Sequence, residues 1–87
     1  MAVLITPEGL HIEIAPEQNK VSMIQIRDAV GAYHVDLKYV DDLVFCYDLH
    51  YQERNLSYNE KASEISQTEL FGNVVILDKN EIDTTEI

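Results

Sequence analysis

The sequence predicts a small α+β domain: a mostly antiparallel sheet of about five strands with two short helices, in the order ββαββαβ. Three observations lead there. Two segments, starting at Ser22 and Ser57, carry the spacing of a helix capping box. Residues 33–39 and 43–48 alternate between two sets of side chains with the period of half-buried strands. The run Asn73-Val74-Val75-Ile76-Leu77 is too continuously apolar and β-branched for a sheet edge and reads as a central strand.

Taken in order, Ala2 to Ile5 and Leu10 to Ala15 flank Thr6-Pro7-Glu8-Gly9, a turn with proline early and glycine late, which predicts a hairpin. Leu10, Ile12 and Ile14 fall on one of its faces, His11 and Glu13 on the other. Next, Ser22 is placed to cap a helix and Gln25 to reach back, with Val21 and Ile26 where a hydrophobic staple forms. Met23, Ile26 and Val30 share one helical face, and Gly31 supplies a left-handed stop, so the first helix is expected over 23–30. Tyr33, Val35, Leu37 and Tyr39 then alternate with His34, Asp36 and Lys38. After the tight connection Val40-Asp41-Asp42, a second strand returns with Leu43, Phe45 and Tyr47 on one face and Val44, Cys46 and Asp48 on the other. Residues 50–55 are polar and aperiodic, as in a loop. Ser57-Tyr58-Asn59-Glu60 repeats the capping pattern and starts a shorter helix through about Ile65. The helices are expected to cover one face of the sheet. Residues 1–78 are expected to form a single domain and 79–87 a flexible acidic tail.

Sixteen acids against six bases give a formal charge of −10, which disfavours direct contact with nucleic acid or an anionic membrane. The acids are scattered rather than blocked. They serve either as a solvated surface or as a decoy in which carboxylates imitate phosphates on the way into a basic groove of another protein. No run of about 18 apolar residues exists to span a membrane, and residues 1–7 lack the pattern of a secretion signal. The single cysteine, Cys46, suits a reducing compartment, so a cytoplasmic location is expected.

Catalytic signatures are missing from the sequence: no phosphate-cradling glycine loop, no His-Glu-x-x-His, no paired-cysteine zinc spacing and no serine elbow. The expectation is a non-enzymatic protein without a cofactor. Cys46, mid-strand beside Phe45, reads as a buried small hydrophobe. His11 with Glu13, and His34 with Asp36, would make a two-histidine, two-carboxylate metal cluster only if their strands were neighbours; otherwise they are solvated side chains.

Five tyrosines and no tryptophan draw attention to interfaces. Tyr33, Tyr39 and Tyr47 are in phase with core residues and are expected to pack in the core or at its edge, whereas Tyr51 and Tyr58, on the loop and helix start, are free to contact a partner. The start of the second helix also offers unpaired backbone N–H groups to an anion, with Ser57, Tyr58, Asn59, Lys61 and Ser63 around it. The structural alternative is that Ser57 caps the helix, Asn59 ties the preceding loop to the sheet and Ala62 permits close packing.

One ordered series of motifs gives the chain a relative. Val30-Gly31-Ala32-Tyr33, Leu56 to Ser63 and Leu70 to Leu77 resemble, in order and rough spacing, the family catalogued as domain of unknown function 3846, carried by phages and mobile elements. Ala32, Ser57 and Asn73 depart from that family's usual residues. The resemblance implies a phage or plasmid setting and leaves the chemistry open. Two functions are therefore expected in competition. The first is a counter-defence inhibitor that binds and blocks a host protein through Asp41, Asp42, Asp48 and Tyr51. The second is a module that sequesters a nucleotide-type immune signal near Ser57 to Ser63 or between identical subunits of a homo-oligomer.

Overall fold

A computed structural model describes residues 2–84. Its strands are β1 (Ala2–Ile5), β2 (His11–Ile14), β3 (Val21–Ser22), β4 (Val35–Val40), β5 (Leu43–Asp48), β6 (Val74–Asp78) and β7 (Ile82–Asp83), and its helices are α1 (Met23–Val30) and α2 (Glu60–Ser66). Five strands form the main sheet in the order β2-β1-β6-β5-β4, every neighbouring pair antiparallel. The expected α+β architecture is present, and β6 is its middle strand.

The first helix forms where its caps place it. Ser22 accepts from the Gln25 backbone N–H at 3.2 Å, and the Ser22 N–H donates to Gln25 Oε1 at 3.1 Å, closing the capping box. Gly31 ends the helix at φ 80°, donating its N–H to the Arg27 carbonyl at 2.8 Å. Met23, Ile26 and Val30 are buried as their spacing requires.

The helices do not share a face of the sheet. Val44, Cys46, Val75 and Leu77 point toward α1, whereas Phe45, Val74 and Ile76 point the other way, against Ala62 of α2. Covering both faces is what a strand such as β6, buried from Val74 through Leu77, needs. Each such aliphatic side chain contributes about 1.5–3 kcal/mol by leaving water.

Two further expectations are corrected. The chain beyond Asp78 does not run straight into a flexible tail: β7 pairs in parallel with β3, and Ile82 is buried with Val21 and Met23. The composition of 79–87 concealed that single apolar anchor; residues 85–87 lie outside the described part. Tyr33 and Tyr39 are 77% and 56% exposed rather than packed. Their alternation gives the face correctly, but Tyr39 lies on the edge strand β4, away from the main contacts of α1 with β5 and β6, and Tyr33, ahead of β4, has Arg27 of α1 over its ring at 5.4 Å. Ile12, on the opposite edge strand β2, and Leu10 just before it are exposed as well.

Candidate functional site

The residues expected to act together separate into two places. Asp41 and Asp42 occupy the tip of the β4–β5 hairpin. Asp41 adopts φ 55°, and Asp42 pairs with Lys79 at 3.3 Å in solvent. Asp48 ends β5, roughly 17 Å from that tip at the rise of an extended strand, with Tyr51 just beyond it. Asp48 is not a surface acid. It is 2% exposed, with the Arg54 guanidinium 2.5 Å from one carboxylate oxygen and the His50 N–H donating to the other at 2.8 Å. Asp48 therefore holds the 49–55 loop to the end of the sheet and is withdrawn from the docking surface.

Replacing Arg54 with methionine tests that role. Its loss leaves a buried carboxylate facing an apolar side chain, a cost reduced by the guanidinium's own half-exposure. A destabilisation of roughly 2 kcal/mol is expected, read by urea unfolding; an unchanged midpoint would exclude Arg54 as the partner that matters.

The group proposed around the second helix is also structural. Asn59, not Ser57, is the cap: its Oδ1 accepts from the Ala62 N–H at 3.1 Å. Asn59 Nδ2 donates to the Ile5 carbonyl at 2.9 Å and to the Gly72 carbonyl at 2.8 Å, and its backbone N–H donates to the Leu70 carbonyl at 2.9 Å. The side chain is wholly buried, and both of its amide hydrogens are taken. Ser63 is similarly committed, since its hydroxyl donates to the Leu70 carbonyl at 3.2 Å and accepts from the Leu70 N–H at 2.8 Å. Both Ser57-x-x-Glu60 and Asn59 satisfy cap rules, so the sequence could not choose between them. Once Asn59 caps, Asn59 and Ser63 have no group to offer a ligand. Lys61 and Ser57 remain exposed on either side.

What the loop and helix do assemble is an aromatic surface. Tyr51 stacks on Phe71 with centroids 5.1 Å apart and planes 6° from parallel. Tyr58 meets the same Phe71 edgewise at 5.5 Å, and Tyr47 meets Tyr51 at 6.4 Å. The order arises from the backbone: Tyr58 and Phe71 form a β-bridge, and the Gly72 N–H donates to the Ser57 carbonyl at 2.7 Å. Tyr58 is 48% exposed. Beside it, Tyr51, Phe71, Leu56 and Glu69 line an open cleft of about 310 Å³.

Acids rim this surface. The Tyr47 hydroxyl donates to Asp36 Oδ2 at 3.2 Å, and burial followed by the neighbouring Asp36 charge pushes the phenol up to about 12. Glu69 borders the cleft, and Glu53, two residues from Tyr51, bonds His50 Nδ1 at 2.9 Å. Sequence reasoning missed Phe71; it placed Tyr47 in the core or at its edge, and Tyr47 does pack half-buried against the Phe45 cluster. The signal available was the pairing of aromatics just before Asn59 and just before Gly72, which only the Tyr58–Phe71 bridge joins.

Elsewhere the chemistry is plain. Cys46 is buried, and burial pushes its thiol up to about 12, so it carries no thiolate near neutrality. His11 and Glu13 sit on β2 and Asp36 on β4, with His34 just before it, at opposite edges of the sheet, so the two pairs do not meet. Among the described residues, no group of three or more His, Cys, Asp or Glu is arranged to hold a metal ion. No helix among them is long and apolar enough to cross a membrane.

Fold and site together define a small α+β protein with a two-sided core and an acid-rimmed aromatic surface at one end of its sheet. No family model, curated protein or solved structure matches the chain.

Proposed function

We propose that this chain is a non-catalytic binding protein that blocks a basic host protein by docking its Tyr47, Tyr51, Tyr58 and Phe71 surface onto an arginine- or lysine-bearing segment. The observation that carries this reading is the half-exposed aromatic run with Asp36, Glu53 and Glu69 at its border. Guanidinium and ammonium groups bind ring faces and carboxylates together, and the net charge of −10 draws such a partner from a distance. The resemblance to the phage and mobile-element family supplies the setting, in which the blocked protein belongs to a host defence system in the bacterial cytoplasm. A groove that normally takes nucleic acid is the natural target, because it is basic already.

Two expectations are revised in this reading. Asp41 and Asp42 contribute long-range attraction from the far end of the hairpin, and Tyr51 makes the contact. Sequestration of a nucleotide near Asn59 and Ser63 loses its donors to internal hydrogen bonds.

The test is affinity capture from defence-carrying bacteria with the wild-type chain and with Tyr58→Ser and Glu69→Gln. Both substitutions fall on accessible side chains outside the buried network. A host protein retained by wild type should be lost or weakened about tenfold or more by Tyr58→Ser, since a hot-spot aromatic is worth upward of 1–2 kcal/mol. Equal retention by all three chains would count against this surface.

A further inference from the structure

The two edges of the sheet are not equivalent. On β4, the two-residue connection makes Val40 and Leu43 a hydrogen-bonded pair, so Leu37 directs its N–H outward. That N–H is already taken by Asp36 Oδ1 at 2.9 Å, and Lys38 stands in the same strand. A side-chain cap and a lysine are the usual ways of blunting an edge.

β2 has neither. The Thr6 N–H donates to the Leu10 carbonyl at 3.0 Å, and Leu4 and Ile14 face Ile12 and Ala2, so His11 and Glu13 direct their N–H and carbonyl groups away from β1. The strand contains no proline or lysine, and Leu10 and Ile12 are 60% and 48% exposed.

We propose that β2 pairs antiparallel with β2 of a second copy of this chain, about a two-fold axis at Ile12, joining two sheets into one. The partner is chosen by self-complementarity. In this register His11 faces Glu13 of the second copy and Glu13 faces its His11, both as hydrogen-bonded pairs using the outward groups. Ile12 then meets its own equivalent at the closer non-hydrogen-bonded spacing, and Leu10 meets Ile14. Moving the two-fold axis by one residue, a two-residue change of pairing, would bring like residues of the outward set together, His11 on His11 or Glu13 on Glu13, and lose the imidazole–carboxylate match. Because β4 is blunted, the assembly closes at two copies instead of continuing as a filament. The pairing uses the free edge of β2 and none of Tyr47, Tyr51, Tyr58 and Phe71.

Sedimentation equilibrium of the purified full chain, from micromolar to millimolar concentration, should show a reversible monomer–dimer equilibrium. His11→Glu sets like charges opposite each other twice and should weaken association about tenfold. Glu13→Lys in the same chain as His11→Glu should restore it, because each pair is then opposite in sign. Glu13→Pro removes an outward donor without touching the β1 ladder and should leave a folded monomer, checked by circular dichroism. Lys38→Glu on the β4 edge should leave the dimer intact. A chain that stays monomeric throughout, a dimer indifferent to His11→Glu and Glu13→Pro, or a double variant that fails to recover would each overturn the proposal.

Discussion

Asn59→Ala is expected to destabilise the domain by roughly 3–5 kcal/mol, the largest effect of any single polar substitution in this chain. The substitution removes a helix cap worth about 1 kcal/mol and strands the carbonyls of Ile5 and Gly72, each costing about 1–3 kcal/mol when left unbonded in a buried position. Asn59→Asp separates these contributions. It keeps the acceptor for the Ala62 N–H but turns a donor toward two carbonyls into a buried oxygen, so it should be as damaging as alanine or worse. Urea unfolding measures both. A loss under about 1 kcal/mol for either would mean that Asn59 is not the joint between helix, loop and β1.

Gly72→Val is the second large effect, expected at roughly 3 kcal/mol. Gly72 adopts φ 78°, where a β-branched residue is strongly disfavoured, and an added Cβ would lie 2.6 Å from Leu56 Cδ1. Leu56→Ala in the same chain should recover the clash and not the backbone strain, so only part of the stability returns. The consequence reaches function. Gly72 donates to Ser57 and follows Phe71, so disturbing it should pull Phe71 from between Tyr51 and Tyr58. Partner capture should fall even under conditions where the chain remains folded.

Local signals in the sequence were sufficient wherever the cause of structure is local. Ser22, Gln25 and Gly31 bound α1 by hydrogen bonds within a few residues, and the β4 and β5 alternation sets the register of their hairpin. Causes that act across the fold were not legible. Alternation puts Tyr39 on a face without saying that β4 ends up as an edge strand, and Ile82 finds β3 through a contact some 60 residues distant in the chain, as loop closure permits at modest entropic cost. The candidate site shows the same division. Tyr51 and Tyr58 stand out as tyrosines outside the strands, but Phe71 joins them only through a bridge across α2, and Asp48 turns inward because Arg54 is close enough to neutralise it. Nothing in the spacing of Asp41, Asp42 and Asp48 distinguishes the paired, buried acid from the two at the hairpin tip.

The most direct test of the docking surface is a nuclear magnetic resonance titration of the isotopically labelled chain with an arginine–glycine repeat peptide, with a glutamate–glycine repeat as control. Saturable shifts are expected at Tyr47, Tyr51, Tyr58 and Phe71, weakened by salt and by Tyr58→Ser, with no response to the glutamate peptide. Shifts confined to Asp41 and Asp42, or an equal response to both peptides, would contradict it.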